Sequence, residues 1–153
     1  MKNCSLCRMP RPRDEQFCQL CGSVEFEASF EELPADFELR LIAENRLAVA
    51  YEYLEDLVAR GVGSAEHCCR LGWLAFAFGD LRAVETWSHE ALRLDIDTVE
   101  AHLLLGWVLQ KSGRWEEAAE EYEAGLRRPA ASPSRRVRLE TLLEMARNKI
   151  PEY

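Results

Sequence analysis

Two consecutive stretches decide the fold: SAEHCCRLGWLAFAFGDLRAVETWSHEALRLDIDT, Ser64–Thr98, and VEAHLLLGWVLQKSGRWEEAAEEYEAGLRRPA, Val99–Ala130. They align without a gap. Leu71-Gly72-Trp73 matches Leu105-Gly106-Trp107, Gly79 matches Gly113, Leu81 matches Trp115 and Leu92 matches Leu126, each pair 34 residues apart. A self-similar step of that length is the mark of a helix-turn-helix repeat. Gly72 and Gly106 fall inside the first helix of each pair, where glycine costs about 1 kcal/mol against alanine. Close approach of the partner helix is the expected compensation. Gly79 and Gly113 stand where that helix must stop, since glycine accepts the left-handed backbone of a helix end.

One step back, Asn45 takes the place of Gly79 and Gly113, and asparagine is the next choice for such a stop. Leu47 answers Leu81 and Trp115, Ala50 answers Val84 and Ala118, and Leu57 answers Ala91. A degenerate first repeat is expected over 34–63, with Glu38 in place of the packing glycine. One step forward gives a single helix, opened by Pro133 and ended before Pro151, as a solvating cap. Between the amino-terminal cysteines and the repeats, Val24, Phe26 and Ala28 alternate with Glu25 and Glu27, which favours a short strand.

The pattern of Leu-Gly, a second Gly seven residues on, then an apolar residue and an Ala-containing amphipathic stretch resembles the tetratricopeptide repeat. That resemblance implies an all-α array of about three helix pairs, at 34–63, 64–98 and 99–132, closed by a capping helix at 133–149. The whole repeat domain then covers 31–153. In that family the first helix of each pair lines a concave groove that holds a peptide or a partner helix. Carried over by position, the inward residues are Glu66, Cys69, Trp73, Phe76 and Ala77, then Glu100, Leu103, Trp107, Gln110 and Lys111. In the first repeat they are Ala35, Leu39, Ile42 and Ala43. An apolar groove with two tryptophans suits an amphipathic helix or hydrophobic peptide. Cys69, Trp73, Leu103 and Trp107 stand where carboxylate-gripping members have Lys and Asn, which disfavours that ligand. Two alternatives stay open: the tryptophans are covered from within, by the cysteine unit or by Val24–Phe30, or a homo-oligomer buries the same patch.

Ahead of the array stands CSLCRMPRPRDEQFCQLCG, Cys4–Gly22, two Cys-x-x-Cys pairs around a ten-residue loop. Four thiolates at this spacing can meet at one tetrahedral zinc, and a closed all-sulfur set leaves no position for a reacting water. Cys4, Cys7, Cys18 and Cys21 are therefore expected to bind one structural Zn2+, with 1–30 as ribbon and linker. The order resembles the short zinc ribbons found at the ends of many prokaryotic proteins. Arg8 occupies the place after the first knuckle where that family has glycine. A thioredoxin-like redox pair would need a strand-to-helix setting that is absent here.

Arg8, Arg11 and Arg13 make the ribbon loop mildly basic and offer a contact for nucleic acid. The chain as a whole carries a net charge of −8 over 153 residues, which opposes broad capture of nucleic acid or an anionic membrane. Apolar residues at 48% and charged residues at 30% fit a globular protein. No apolar run reaches the roughly 18 residues of a membrane span, and the amino terminus lacks the hydrophobic stretch of a signal peptide. A cytoplasmic location without membrane insertion is the expectation. Cys68 and Cys69 fall at packing positions, matched by His102 and Leu103. His67, His89 and His102 lack ligand spacing, and Glu116, Glu117, Glu120, Glu121, Tyr122 and Glu123 read as a solvated face. The expected function is a non-enzymatic adaptor that binds another protein through the groove. The alternative is a regulator whose ribbon contacts nucleic acid or a nucleic-acid machine while the array recruits a partner.

Overall fold

A computed structural model describes residues 1–21, 36–129 and 131–149. The chain is mostly helical: α1 (Phe37–Ala43), α2 (Leu47–Ala59), α3 (Ala65–Ala77), α4 (Leu81–Leu94), α5 (Val99–Lys111), α6 (Trp115–Leu126) and α7 (Pro133–Arg147). Strands β1 (Lys2–Asn3) and β2 (Pro10–Arg11) pair antiparallel, Lys2 opposite Arg11. Leu47, Leu81 and Trp115 each open a helix, as do Ala65, Val99 and Pro133, all at 34-residue steps. The expected strand at Val24–Ala28, the Val24–Phe30 segment offered as a cover, and Ala35 lie outside the described residues.

The turn between helices is built in the same way each time. Asn45, Gly79 and Gly113 take φ of 62°, 77° and 76°, in the left-handed region. The next amide then reaches back across the helix end: Arg46 N–H donates to Leu41 C=O at 2.8 Å, Asp80 to Ala75 at 3.0 Å, and Arg114 to Leu109 at 2.9 Å. These bonds satisfy carbonyls that the helix terminus would otherwise leave bare. Starts are fixed by side chains in three helices. Ser64 Oγ accepts from His67 N–H, Asp80 Oδ1 from Ala83 N–H, and Ser132 Oγ from Arg135 N–H, with Pro133 in the first turn of α7.

Neighbouring helices pack in sequence order, α3 on α4, α4 on α5, α5 on α6 and α6 on α7, while α3 also touches α5. Two buried glycines, Gly72 in α3 and Gly106 in α5, mark close approaches between helices. A Cβ at Gly106 would lie 2.3 Å from Tyr122 Cε1, and one at Gly72 would lie 3.0 Å from Leu104 Cδ1 and 3.9 Å from Ser88 Oγ. Tyr122 and Ser88 are themselves 34 residues apart, so one register supplies both contacts. Tyr122 therefore belongs to the core and is 0% exposed, against its sequence assignment to a solvated face. A glutamate-rich surround hid it; its hydroxyl is satisfied inside, donating to Gln110 Oε1 at 2.7 Å.

Glu38, standing in for the packing glycine, is 3% exposed. Its carboxylate pairs with Arg70 of α3 and lies 3.5 Å from His67 Nε2. A largely buried ion pair therefore joins α1 to α3 at the register position that Gly72 and Gly106 hold further along the chain. Helix α7 is more than a solvating cap. Leu139, Leu142, Leu143 and Ala146 are buried, and its Arg135 reaches the amino-terminal unit.

Candidate metal centre and inner face

The first Cys-x-x-Cys turns back on itself because Cys4 N–H donates to Met9 C=O at 3.0 Å and Arg8 N–H donates to Cys4 C=O at 2.9 Å. Arg8 adopts φ of 65° to close this knuckle, the conformation a glycine takes without cost. Four sulfurs converge as a result. Cys4, Cys7, Cys18 and Cys21 are all buried, and their Sγ atoms lie within 4.8 Å of one another. Cys4 and Cys21 Sγ are 3.5 Å apart, Cys7 and Cys18 Sγ 3.7 Å. A disulfide needs about 2.05 Å, so these are free thiols. Tetrahedral ligands at 2.3 Å from a common ion would sit about 3.8 Å apart. The donor set and its spacing thus fit a four-coordinate thiophilic metal, and among the described residues no other group of three or more ligand side chains comes together.

Proton affinity within the cluster is split in the way such crowding demands. Hydrogen bonds from Cys18 and Cys21 hold the Cys4 thiol far below its usual range, while burial pushes Cys7 up. A cation would replace the shared protons and satisfy all four sulfurs at once. Leu6, Met9 and Leu20 of the same segment are each at most 3% exposed.

The three loop arginines do not form one surface. Arg11 is 1% exposed, held by Glu15 through two bonds of 2.8 Å and by Asn45 Oδ1 at 3.4 Å. Burial works against its charge, but Glu15 and, further off, Cys18 and Cys7 outweigh it and strengthen the guanidinium's hold on its proton. Arg11 is thus committed to the join between the amino-terminal unit and the end of α1, not to an external anion; Arg8 and Arg13 are exposed.

Between α3 and α5 three aromatic rings meet. Trp73 and Trp107 are edge to face with centroids 5.6 Å apart, and Phe76 stacks on Trp107 at 5.0 Å. Trp73 Nε1–H donates to Glu100 Oε1 at 2.7 Å. Burial pushes the Glu100 carboxyl up, opposed by Arg135 and that indole bond. The expected groove is not an open one. Trp73, Trp107, Cys69, Leu103, Gln110 and Ile42 are each at most 2% exposed; Leu39 and Phe76 are half-buried, and Lys111 is exposed with its Nζ 6.0 Å from the Trp107 ring. From Ala101 to Gln110 every residue of α5 is buried.

The amino-terminal unit is tied to the helices at two places. At one end Arg11 meets Asn45 after α1; at the other Arg135 Nη1 of α7 donates to Leu6 C=O at 3.1 Å. Arg135 lies 4.0 Å from Glu100, which holds Trp73, and Leu6, Met9 and Leu20 belong to the same buried cluster as both tryptophans. Of the two interior covers open from the sequence, the cysteine unit is one that the described residues contain. The join escapes sequence inspection because one partner is a backbone carbonyl, 129 residues from its donor.

Cys68 and Cys69 are buried, and burial pushes the Cys68 thiol up to about 11 and Cys69 well above its usual range. Both stay protonated and pack as small apolar groups. No family model matches the chain, and no curated protein matches it in sequence. Among the described residues no helix is long and apolar enough to cross a membrane.

Proposed function

We propose that this chain is a zinc-binding helical-repeat scaffold of the tetratricopeptide type, acting by contact with another protein and not by catalysis. Its ribbon holds one structural Zn2+ through Cys4, Cys7, Cys18 and Cys21, and its inner helices carry the contact surface. The metal is zinc because four thiolates in a closed tetrahedral arrangement suit that ion and leave no reactive position. The observation that carries the binding role is the ring trio of Trp73, Phe76 and Trp107, in which the two tryptophans stand 34 residues apart, with half-buried Phe76 and exposed Lys111 at its rim. Buried aromatic anchors ringed by accessible residues are the usual source of affinity in protein contacts.

Native mass spectrometry tests the metal, with one zinc per chain expected and a metal-free folded ribbon refuting it. A photoreactive side chain at Lys111, compared with one at exposed Glu120 on α6, tests the surface in cells. Protein crosslinks concentrated at position 111 support it. Equal labelling at both positions, or crosslinks to nucleic acid from Arg8 or Arg13 alone, overturns it.

A further inference from the structure

Residues 1–21 are too few to bury a core of their own, and units of this size stay folded only with metal or crosslinks. Of their apolar side chains Leu6, Met9 and Leu20 are nevertheless buried, while Phe17 is exposed. The ribbon fastens to the array at its two ends, through Arg11 to Asn45 and through Leu6 C=O to Arg135. Beside the second fastening runs a cleft of about 410 Å³, lined by Arg8, Glu66, Asp97, Glu100, Ser132 and Arg135. The seat is thus apolar inside but bordered by a polar cleft, unlike the continuous packing of α3 through α7.

We infer that residues 1–21 form a metal-held cover over the Trp73–Trp107 face. With the four cysteines ligated, the ribbon keeps the shape that seats Leu6, Met9 and Leu20, and the ring trio is withheld from other proteins. When the metal leaves and the sulfurs take up protons, the ribbon loses its fold and the inner face opens. The array survives, because helices α3 to α7 hold one another through their own contacts. Binding of metal and seating of the cover then share one free energy, so whatever weakens one weakens the other. This inference rests on the inner face being the contact surface, and adds what occupies it and what releases it.

The test uses the full chain with Trp87→Phe and Trp115→Phe, which leaves Trp73 and Trp107 as the emitters of the four tryptophans. Acrylamide quenching and circular dichroism are read on the zinc-loaded protein, after removal of zinc by a strong chelator, and after zinc is restored. A severalfold rise in the quenching constant with a red-shifted emission, helicity retained and full reversal on adding zinc are expected. Unchanged quenching in protein verified as stripped overturns the inference, as does loss of helicity in step with the metal. A second variant, Arg135→Ala, keeps the backbone cap to Ser132 but loses the bond to Leu6. It should surrender zinc to chelator severalfold faster although Arg135 is no ligand, and an unchanged rate would sink the coupling. No partner is present in these measurements, so their failure is separate from a failure of crosslinking at position 111.

Discussion

Replacing Gly106 by alanine adds one methyl group to the middle of α5, a change that in an exposed helix would stabilise by about 1 kcal/mol. Here the new carbon would stand 2.3 Å from Tyr122 Cε1, 2.6 Å from Cδ1 and 2.8 Å from Cζ. Carbon atoms in contact rest about 3.5 Å apart or more, so the overlap is roughly 1.2 Å. The ring has little freedom to yield. Tyr122 is 0% exposed, and its hydroxyl is tied to Gln110, itself 1% exposed. Overpacking of a tight core costs about 1–3 kcal/mol, and a clash with a tethered ring belongs at the upper end. After the helix gain is subtracted, the net loss is about 2 kcal/mol, or a fall in Tm of about 4–8 °C for a chain of this size. Urea and thermal unfolding followed by circular dichroism measure it. The same substitution on a Tyr122→Leu background should cost about 1–3 kcal/mol less, since the clashing ring is gone. A Gly106→Ala protein as stable as the parent, or an equal loss in both backgrounds, would refute the close approach of α5 and α6.

Gly72→Ala should behave differently, because its nearest neighbour is the flexible end of Leu104 at 3.0 Å; unfolding should show a change within about 1 kcal/mol of zero. Ser88 is 0% exposed and its Oγ has no hydrogen-bond partner among the described residues. Ser88→Ala should therefore be neutral or stabilising by up to about 1 kcal/mol in urea denaturation, whereas a marked loss would reveal a partner for the hydroxyl. For Cys68 the folded thiol is raised to about 11 from an ordinary 9.0, so the unfolded chain ionises first as pH rises. Its contribution is intact below about pH 9 and is lost progressively up to about pH 11, amounting to about 2–3 kcal/mol. Unfolding of the zinc-loaded protein across that window should show this decline, and Cys68→Ala should flatten it.

Much of the helical scaffold is legible in the chain because its determinants are local. Gly79 and Gly113 announce their turns by residue type, and Asn45 does so by standing one step earlier; each adopts the left-handed backbone that ends a helix. Gly72 and Gly106 imply a close neighbour without naming it. The neighbours, Leu104 and Tyr122, come from other helices, and Tyr122 was obscured by glutamates on either side that place it in an apparently polar run. Glu38 shows the opposite difficulty. A glutamate at a packing position looks like decay of the repeat, until Arg70 is seen to arrive from α3 and neutralise it in the interior.

By itself the sequence determined the 34-residue step, the positions at which helices stop, and the set of four cysteines able to share one metal. Each depends on backbone preference or ligand spacing within a short span of chain. Only the tertiary structure decided that Trp73 and Trp107 are buried instead of facing water, and that the two ends of the chain are joined. The join is made by the Arg135 guanidinium on the distant Leu6 carbonyl and by Arg11 drawn to Asn45. Such contacts follow no periodic pattern and become visible only when the two ends of the chain meet.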